Sequence, residues 1–258
     1  MSPCSRVELI EGRALARIDD LTLAGLAKLT VKPPDTATRA SKKRYSEQIS
    51  QVIAAAFAEE LRQRGLKEAR PALPGALGTS GAERRMAGGI GAKRVDVTWA
   101  TEQSGLLLGI SVKSINFRDA KTNNFQKNLI NRRGDMLIEA VTLHRRFPYA
   151  VLAGFIFLDR EAANDSTIKR RSTFENAHNR LRLFTGREDP AGRDEQYEQM
   201  YILLLDANPF NSSLLAHQVG DPTTELPLER IFDELLSLVA ARNPDFYECI
   251  NGVLQKAN

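Results

Sequence analysis

Two apolar stretches carry the groups most able to do chemistry: Lys93-Arg94-Val95-Asp96-Val97-Thr98-Trp99 and Leu106-Leu107-Leu108-Gly109-Ile110-Ser111-Val112-Lys113. Read as strands, they alternate faces, so Asp96 falls with Thr98 and Ser111 with Lys113. If the strands are neighbours, a carboxylate and an amine meet on one sheet surface. Phosphodiester hydrolysis needs a water nucleophile, neutralisation of the phosphate and help for the leaving oxygen. Mg²⁺ supplies much of this from oxygen ligands while keeping several waters. Asp96 is the natural first ligand, and the backbone carbonyl of Val112 is a second. Lys113 is placed to stabilise charge on the phosphate or to orient the attacking water.

The surrounding pattern supplies elements to hold these groups. Val7, Ile10, Ala14, Ile18 and Leu21 recur at helical spacing within residues 7–30, and Pro33-Pro34 breaks the run. A second helix is expected over 41–64, ending at Gly65, with Tyr45, Ile49, Val52, Ile53, Ala56 and Phe57 on its apolar face. Residues 70–91, rich in Gly, Pro and Ala, read as an exposed loop, and strands follow over 93–100 and 105–115. A long amphipathic helix spans 124–146. Then come a wholly apolar strand over 149–158, a helix near 170–184, a strand near 199–206 and a helix near 226–242. This order argues for a layered α/β domain.

Composition narrows the setting. Charged residues make up 26% of the 258, but the net charge is only +4, too mild to argue for nucleic acid by itself. The distribution says more: between Lys113 and Arg146, eight cations face three anions, directly after the candidate site. Cys4 and Cys249 form no CxxC pattern, which fits a reducing cytosol and disfavours a thiolate metal cage. No apolar signal core or membrane-length run is present, so a soluble cytoplasmic protein is expected. Asn124, Gln126, Lys127, Asn128, Arg132 and Arg133 cluster at a helix start, where amides and guanidinium groups can bind phosphates and read base edges.

Each residue also has a plainer reading. Asp96 taken alone is a solvent-facing strand residue beside Lys93 or Arg94, Lys113 a strand end and Ser111 a small residue on a crowded face. Arg132, Asp135 and Glu139 read as a ladder of i,i+3 and i,i+4 pairs, and for Asp135 and Glu139 that solvated face is the expectation. His144, His178 and His217 stand isolated in the sequence and read as packing or surface residues. Gly88-Gly89-Ile90-Gly91 lacks the Gly-Lys-Ser/Thr ending of a P-loop.

On Asp96, the Ser111-Val112-Lys113 tripeptide, the helix before them and the apolar strand after a long basic helix, the chain resembles the PD-(D/E)xK nuclease superfamily. That superfamily includes many restriction endonucleases, and the match spans residues 41–158. The resemblance implies a restriction-endonuclease-like α/β fold, a mixed central sheet flanked by helices. It would occupy 41–258, with residues 1–40 as a helical appendage and 159–258 as an elaboration. The family's tripeptide normally begins with Asp or Glu; Ser111 stands there in this chain and leaves the site one carboxylate short. Some members recruit a carboxylate from the first helix. Glu47 is the candidate, off the Ile49/Ile53 face and beside Ala54 and Ala58, with Glu60 and Glu83 behind it.

The expectation is therefore a Mg²⁺-dependent DNA endonuclease, with Mn²⁺ as a possible substitute, of the type II restriction or related defence class. Asp96, Glu47 and the Val112 carbonyl would hold metal, and Lys113 and Ser111 would complete the catalytic set. Double-stranded DNA is the partner, and a homodimer would match a two-fold target. The alternative is an inactive nuclease-fold module for DNA binding or assembly, favoured by the missing acid. An RNA-directed enzyme would lack the aromatic motifs such proteins use.

Overall fold

The computed structural model describes residues 9–10, 13–14, 16–73 and 84–257. Short strands β1 (Leu9–Ile10) and β2 (Arg13–Ala14) pair antiparallel ahead of helix α1 (Arg17–Leu26). The helical reading of residues 7–30 thus holds only for its second half. Ile10 and Ala14 are four apart, a spacing that fits strand alternation as well as a helix turn. Ile18 and Leu26 of α1 sit in the same core as Ile49, Ile53 and Phe57 of α2 (Arg39–Gln63). Thr38 caps α2 through the Ser41 amide at 3.2 Å.

The predicted 70–91 loop is replaced from Arg84 by a hairpin, β3 (Arg84–Gly88) and β4 (Gly91–Val95); residues 74–83, with Glu83, lie outside the described set. The hairpin seats on helix α3 (Lys127–His144), where the Gly89 amide donates to the Thr142 carbonyl at 2.8 Å. A Cβ at Gly88 would stand 2.4 Å from that same oxygen, so only glycine permits the approach.

The central sheet has five strands in sequential order: β5 (Val97–Thr101), β6 (Gly105–Ile115), β7 (Val151–Asp159), β8 (Gln199–Asp206) and β9 (Ser213–Gln218). The inner pairs β6–β7 and β7–β8 are parallel and the outer pairs antiparallel. The fold is thus α/β, a mixed sheet flanked by helices. Helices α1, α2 and α5 (Leu228–Arg242) cover one face; α3 and α4 (Thr173–Leu181) cover the other. Strand β7 shows the alternation: Phe155 and Phe157 enter the first core, Leu152, Ile156 and Leu158 the second. A final hairpin, β10 (Tyr247–Ile250) and β11 (Val253–Lys256), follows α5. Among the described residues no helix is long and apolar enough to cross a membrane.

Candidate active site

The single strand expected over 93–100 is broken at Asp96. Val97 still pairs with Ile110 of β6, but β4 bends out of the sheet to join β3. At the break the Asp96 carboxylate turns back and accepts the Val112 amide at 2.6 Å, replacing the backbone acceptor that a continuing strand would have offered. A strand residue presents its N–H and C=O to the same edge, so the Val112 carbonyl points to the side that Asp96 occupies.

Ile110 and Val112 belong to the α2/α5 core, which places Ser111 and Lys113 on the α3 face. There the Lys113 ammonium donates to the Asp96 carboxylate at 3.4 Å, the meeting that the sequence predicted. It also lies 3.7 Å from a carboxylate oxygen of Glu139 on α3. Glu139 is 5% exposed, so the solvated-ladder expectation for this residue is overturned. Asp135 does lie on the exposed side, 3.9 Å from Arg132.

The approach of α3 to the sheet has a local cause. Gly154 of β7 is the register partner of Ser111, and a Cβ there would come within 2.5 Å of the Met136 methyl. With no side chain at Gly154, Met136 packs onto the sheet and the following turn brings Glu139 over Lys113. The buried Tyr197 hydroxyl donates to the Met136 carbonyl at 3.1 Å and fixes that turn. The Ser111 hydroxyl lies beside Glu139 and Tyr197. It is fully enclosed and, among the described residues, makes no hydrogen bond of normal geometry.

The charges respond to this enclosure. Burial works to lower the Lys113 pKa, but the pull of Glu139 and Asp96 outweighs it and the value is raised above the ordinary 10.5. Burial raises Glu139 above the ordinary 4.5; Lys113 opposes the shift and Asp96 adds to it. Two further cations bear on the cluster: Arg132, two helical turns before Glu139, acts on Lys113, and Lys93 of β4 acts on Glu139.

The donor set suits a hard cation. Asp96 and Glu139 offer carboxylates, Val112 a carbonyl on the same edge, and the enclosed Ser111 hydroxyl stands beside Glu139 without a hydrogen bond of normal geometry. Oxygen ligands with one or two carboxylates are what Mg²⁺ takes when substrate phosphate completes the shell. Among the described residues no group of three or more His, Cys, Asp or Glu side chains gathers to hold an ion unaided.

Other predicted positions fall elsewhere. Glu47 is exposed on α2, which covers the opposite sheet face, and pairs with Lys43 at 3.6 Å. The structure does not bring it to Asp96. Glu60 is buried between Arg17 at 2.8 Å and Arg64 at 2.5 Å. Asn124 is buried and its side chain bonds the Thr122 carbonyl and the Gln126 amide, so it shapes the entry to α3. The Gln126 side-chain nitrogen is enclosed without a partner, Lys127 pairs with Asp119, and Asn128 is exposed. Arg133 lies over the Phe184 ring at 5.6 Å. Of the six basic and amide positions, Arg132 alone is tied to the cluster by a charge interaction.

Glu139 had a signal in the sequence. Met136, Glu139, Ala140 and Leu143 keep a three-four spacing, so the acid occupies a place on the apolar stripe. The histidines are buried: His144 contacts Glu198 at 3.3 Å, and His178 and His217 flank Phe174 with their rings 6.3 Å apart.

Compared with family models, with curated proteins and with solved structures, the chain finds no match.

Proposed function

We propose that the chain is a Mg²⁺-dependent DNA endonuclease of the PD-(D/E)xK kind, with a restriction-endonuclease-like fold and a role in restriction or related defence. The observation that carries this reading is the convergence of Asp96, Lys113 and Glu139 on the α3 face. Glu139 supplies the acid that Ser111 replaces in the tripeptide, and it comes from the helix after the strand instead of from Glu47. Asp96, Glu139 and the Val112 carbonyl would hold Mg²⁺, or Mn²⁺ in its place. A bound ion supplies charge neutralisation at the phosphoryl group and acidifies water.

The chain's own groups divide the remaining work. Lys113 offsets charge that grows on the phosphoryl oxygens, and its position between two carboxylates keeps it protonated for that purpose. Arg132 and Lys93 flank the cluster from α3 and β4 and would neutralise neighbouring phosphates of double-stranded DNA. Tyr197 holds the α3 turn, so that Glu139 meets the phosphate at a fixed height. A homodimer would follow from a two-fold target site. Mg²⁺-dependent cleavage of plasmid DNA, lost in Asp96→Ala, tests the reading.

One observation favours a second reading. The Lys113 ammonium already bonds Asp96 and neighbours Glu139, a buried cluster that is partly neutralised without any ion. As an inactive module for DNA binding or assembly, the chain would keep this cluster for structure alone. Calorimetric titration with MgCl₂ separates the two, since only the first requires binding that disappears in Asp96→Ala.

A further inference from the structure

At the other end of β6 from Lys113, three loops border an open hollow of about 300 Å³: the β5–β6 turn, the α3–β7 connection and the chain leaving α5. Its walls include Phe147, Tyr149 and Phe246, and its polar groups include Arg146, Gln103 and Asn243. Leu107 on its floor is six strand residues before Lys113, roughly 20 Å at about 3.3 Å per residue. It is therefore separate from the Asp96 site.

Three features mark it as a built site. Tyr149 and Phe246 are 58% and 44% exposed, an unusual state for two aromatic side chains around one hollow. Arg146 lies 5.5 Å from the Phe147 ring, and among the described residues it has no carboxylate partner. The rim is also held rigidly from beneath. The Pro148 carbonyl accepts from Arg187 at 3.0 Å and the Ala150 carbonyl from Arg242 at 3.3 Å. Both guanidinium groups are anchored on the buried Glu198, at 3.1 and 2.7 Å.

We propose that this cavity binds a nucleobase carrying a phosphate. Aromatic faces stack a flat ring, the Gln103 amide and the Asn243 side-chain oxygen (whose NH₂ donates to the Val239 carbonyl at 2.9 Å) can meet the hydrogen-bonding edge of a base, and the Arg146 guanidinium takes the anionic phosphate. A purely aliphatic ligand would use neither the exposed Gln103 amide nor the Arg146 guanidinium, and a bare anion would leave the aromatic walls in water. The base can come from a free nucleotide or from a DNA strand with an unstacked base; both present the same groups. The proposal stands apart from whether the Asp96 site cuts DNA.

The test uses Trp99, the chain's single tryptophan, which packs edge-on against Tyr247 at 5.1 Å, next in sequence to Phe246. Its emission is followed while the protein is titrated with dAMP, dCMP, dGMP and TMP, with a single-stranded octanucleotide, and with deoxyribose 5-phosphate as a base-free control. Saturable binding of at least one base-containing probe, and none of the control, is expected. Tyr149→Ala and Phe246→Ala should each weaken it about tenfold. Arg146→Ala should weaken a nucleotide but not its nucleoside. Binding of mononucleotides assigns a soluble source, and binding of the octanucleotide alone assigns a strand. If no probe binds by emission or by calorimetry, or if binding survives all three substitutions, the proposal is overturned.

Discussion

The Asp96 carboxylate accepts the Val112 amide at 2.6 Å and so stands in for the strand that bends away at that point. One residue thereby ends the β5–β6 ladder, turns the Val112 carbonyl toward an open edge and sets a carboxylate beside Lys113. In the proposed reading a structural duty and a chemical one coincide there, so Asp96→Ala is expected to disturb the strand end as well as activity. Asp96→Asn, which keeps an acceptor for the amide, separates the two: its melting temperature should stay closer to wild type than that of Asp96→Ala, with cleavage still lost. Equal melting of the two variants would remove the structural role.

Lys113→Ala should lower DNA cleavage by roughly 10²-fold or more while leaving DNA affinity nearly unchanged, because its proposed contribution is made where charge develops. Cleavage rates and filter-binding affinities on the same substrate measure both. Parallel losses in the two would make Lys113 a binding residue instead.

Glu139 titrates in a direction that stability can report. Burial, aided by Asp96 and opposed by Lys113, holds its pKa above the ordinary 4.5. The folded chain keeps this proton after the unfolded chain has lost it. Stability contributed here is therefore greatest below about pH 4.5 and falls as pH rises through the raised value. Urea unfolding across this range should show a smaller fall in Glu139→Gln than in wild type. Identical pH profiles would contradict the burial-driven shift.

His178 shifts the other way. Burial first, then the neighbouring His217, lowers its pKa from 6.5 to about 4, against a weaker pull from Asp221. The unfolded chain takes up the proton first, so stability is lost as pH falls from about 6.5 to 4, on the order of 3 kcal/mol. The difference in unfolding free energy between pH 7 and pH 4 should shrink in His178→Gln. An unchanged difference would assign the acid sensitivity to other groups.

Glu198 holds together Arg187, Arg242, His144 and the Leu152 amide in the interior. Glu198→Gln leaves two buried guanidinium groups without their counter-charge and should cost about 3–5 kcal/mol. A loss under about 1 kcal/mol in chemical denaturation would show that carbonyls alone satisfy the arginines.

Much of the fold was legible in the sequence because its long elements carry clear periods. The helix over 41–64 is observed at Arg39–Gln63, and the strand near 199–206 at Gln199–Asp206. The β3–β4 hairpin was hidden because its glycines, which serve close contact with α3, read as loop. The break at Asp96 was hidden because Val95 and Val97 continue an apolar alternation across it. In the site, Asp96 and Lys113 were visible from two adjacent strands. Glu139 was missed because an acid four residues from Asp135 reads as one more solvated charge, and only the packing of Met136 over Gly154 turns it inward. Glu47 stands apart from this cluster for the opposite reason: its helix is where the sequence predicts it, but that helix covers the other face of the sheet.

The most direct measurement compares Mg²⁺-dependent cleavage of methylated and unmethylated plasmid and phage DNA by wild type, Glu139→Gln and Glu47→Gln, each checked for folding by circular dichroism. Wild type and Glu47→Gln should cut at similar rates, with Glu139→Gln slower by about 10²-fold or more. Cutting by a folded Glu139→Gln at the wild-type rate, or no Mg²⁺-dependent cutting by wild type on any substrate, would contradict the proposed site.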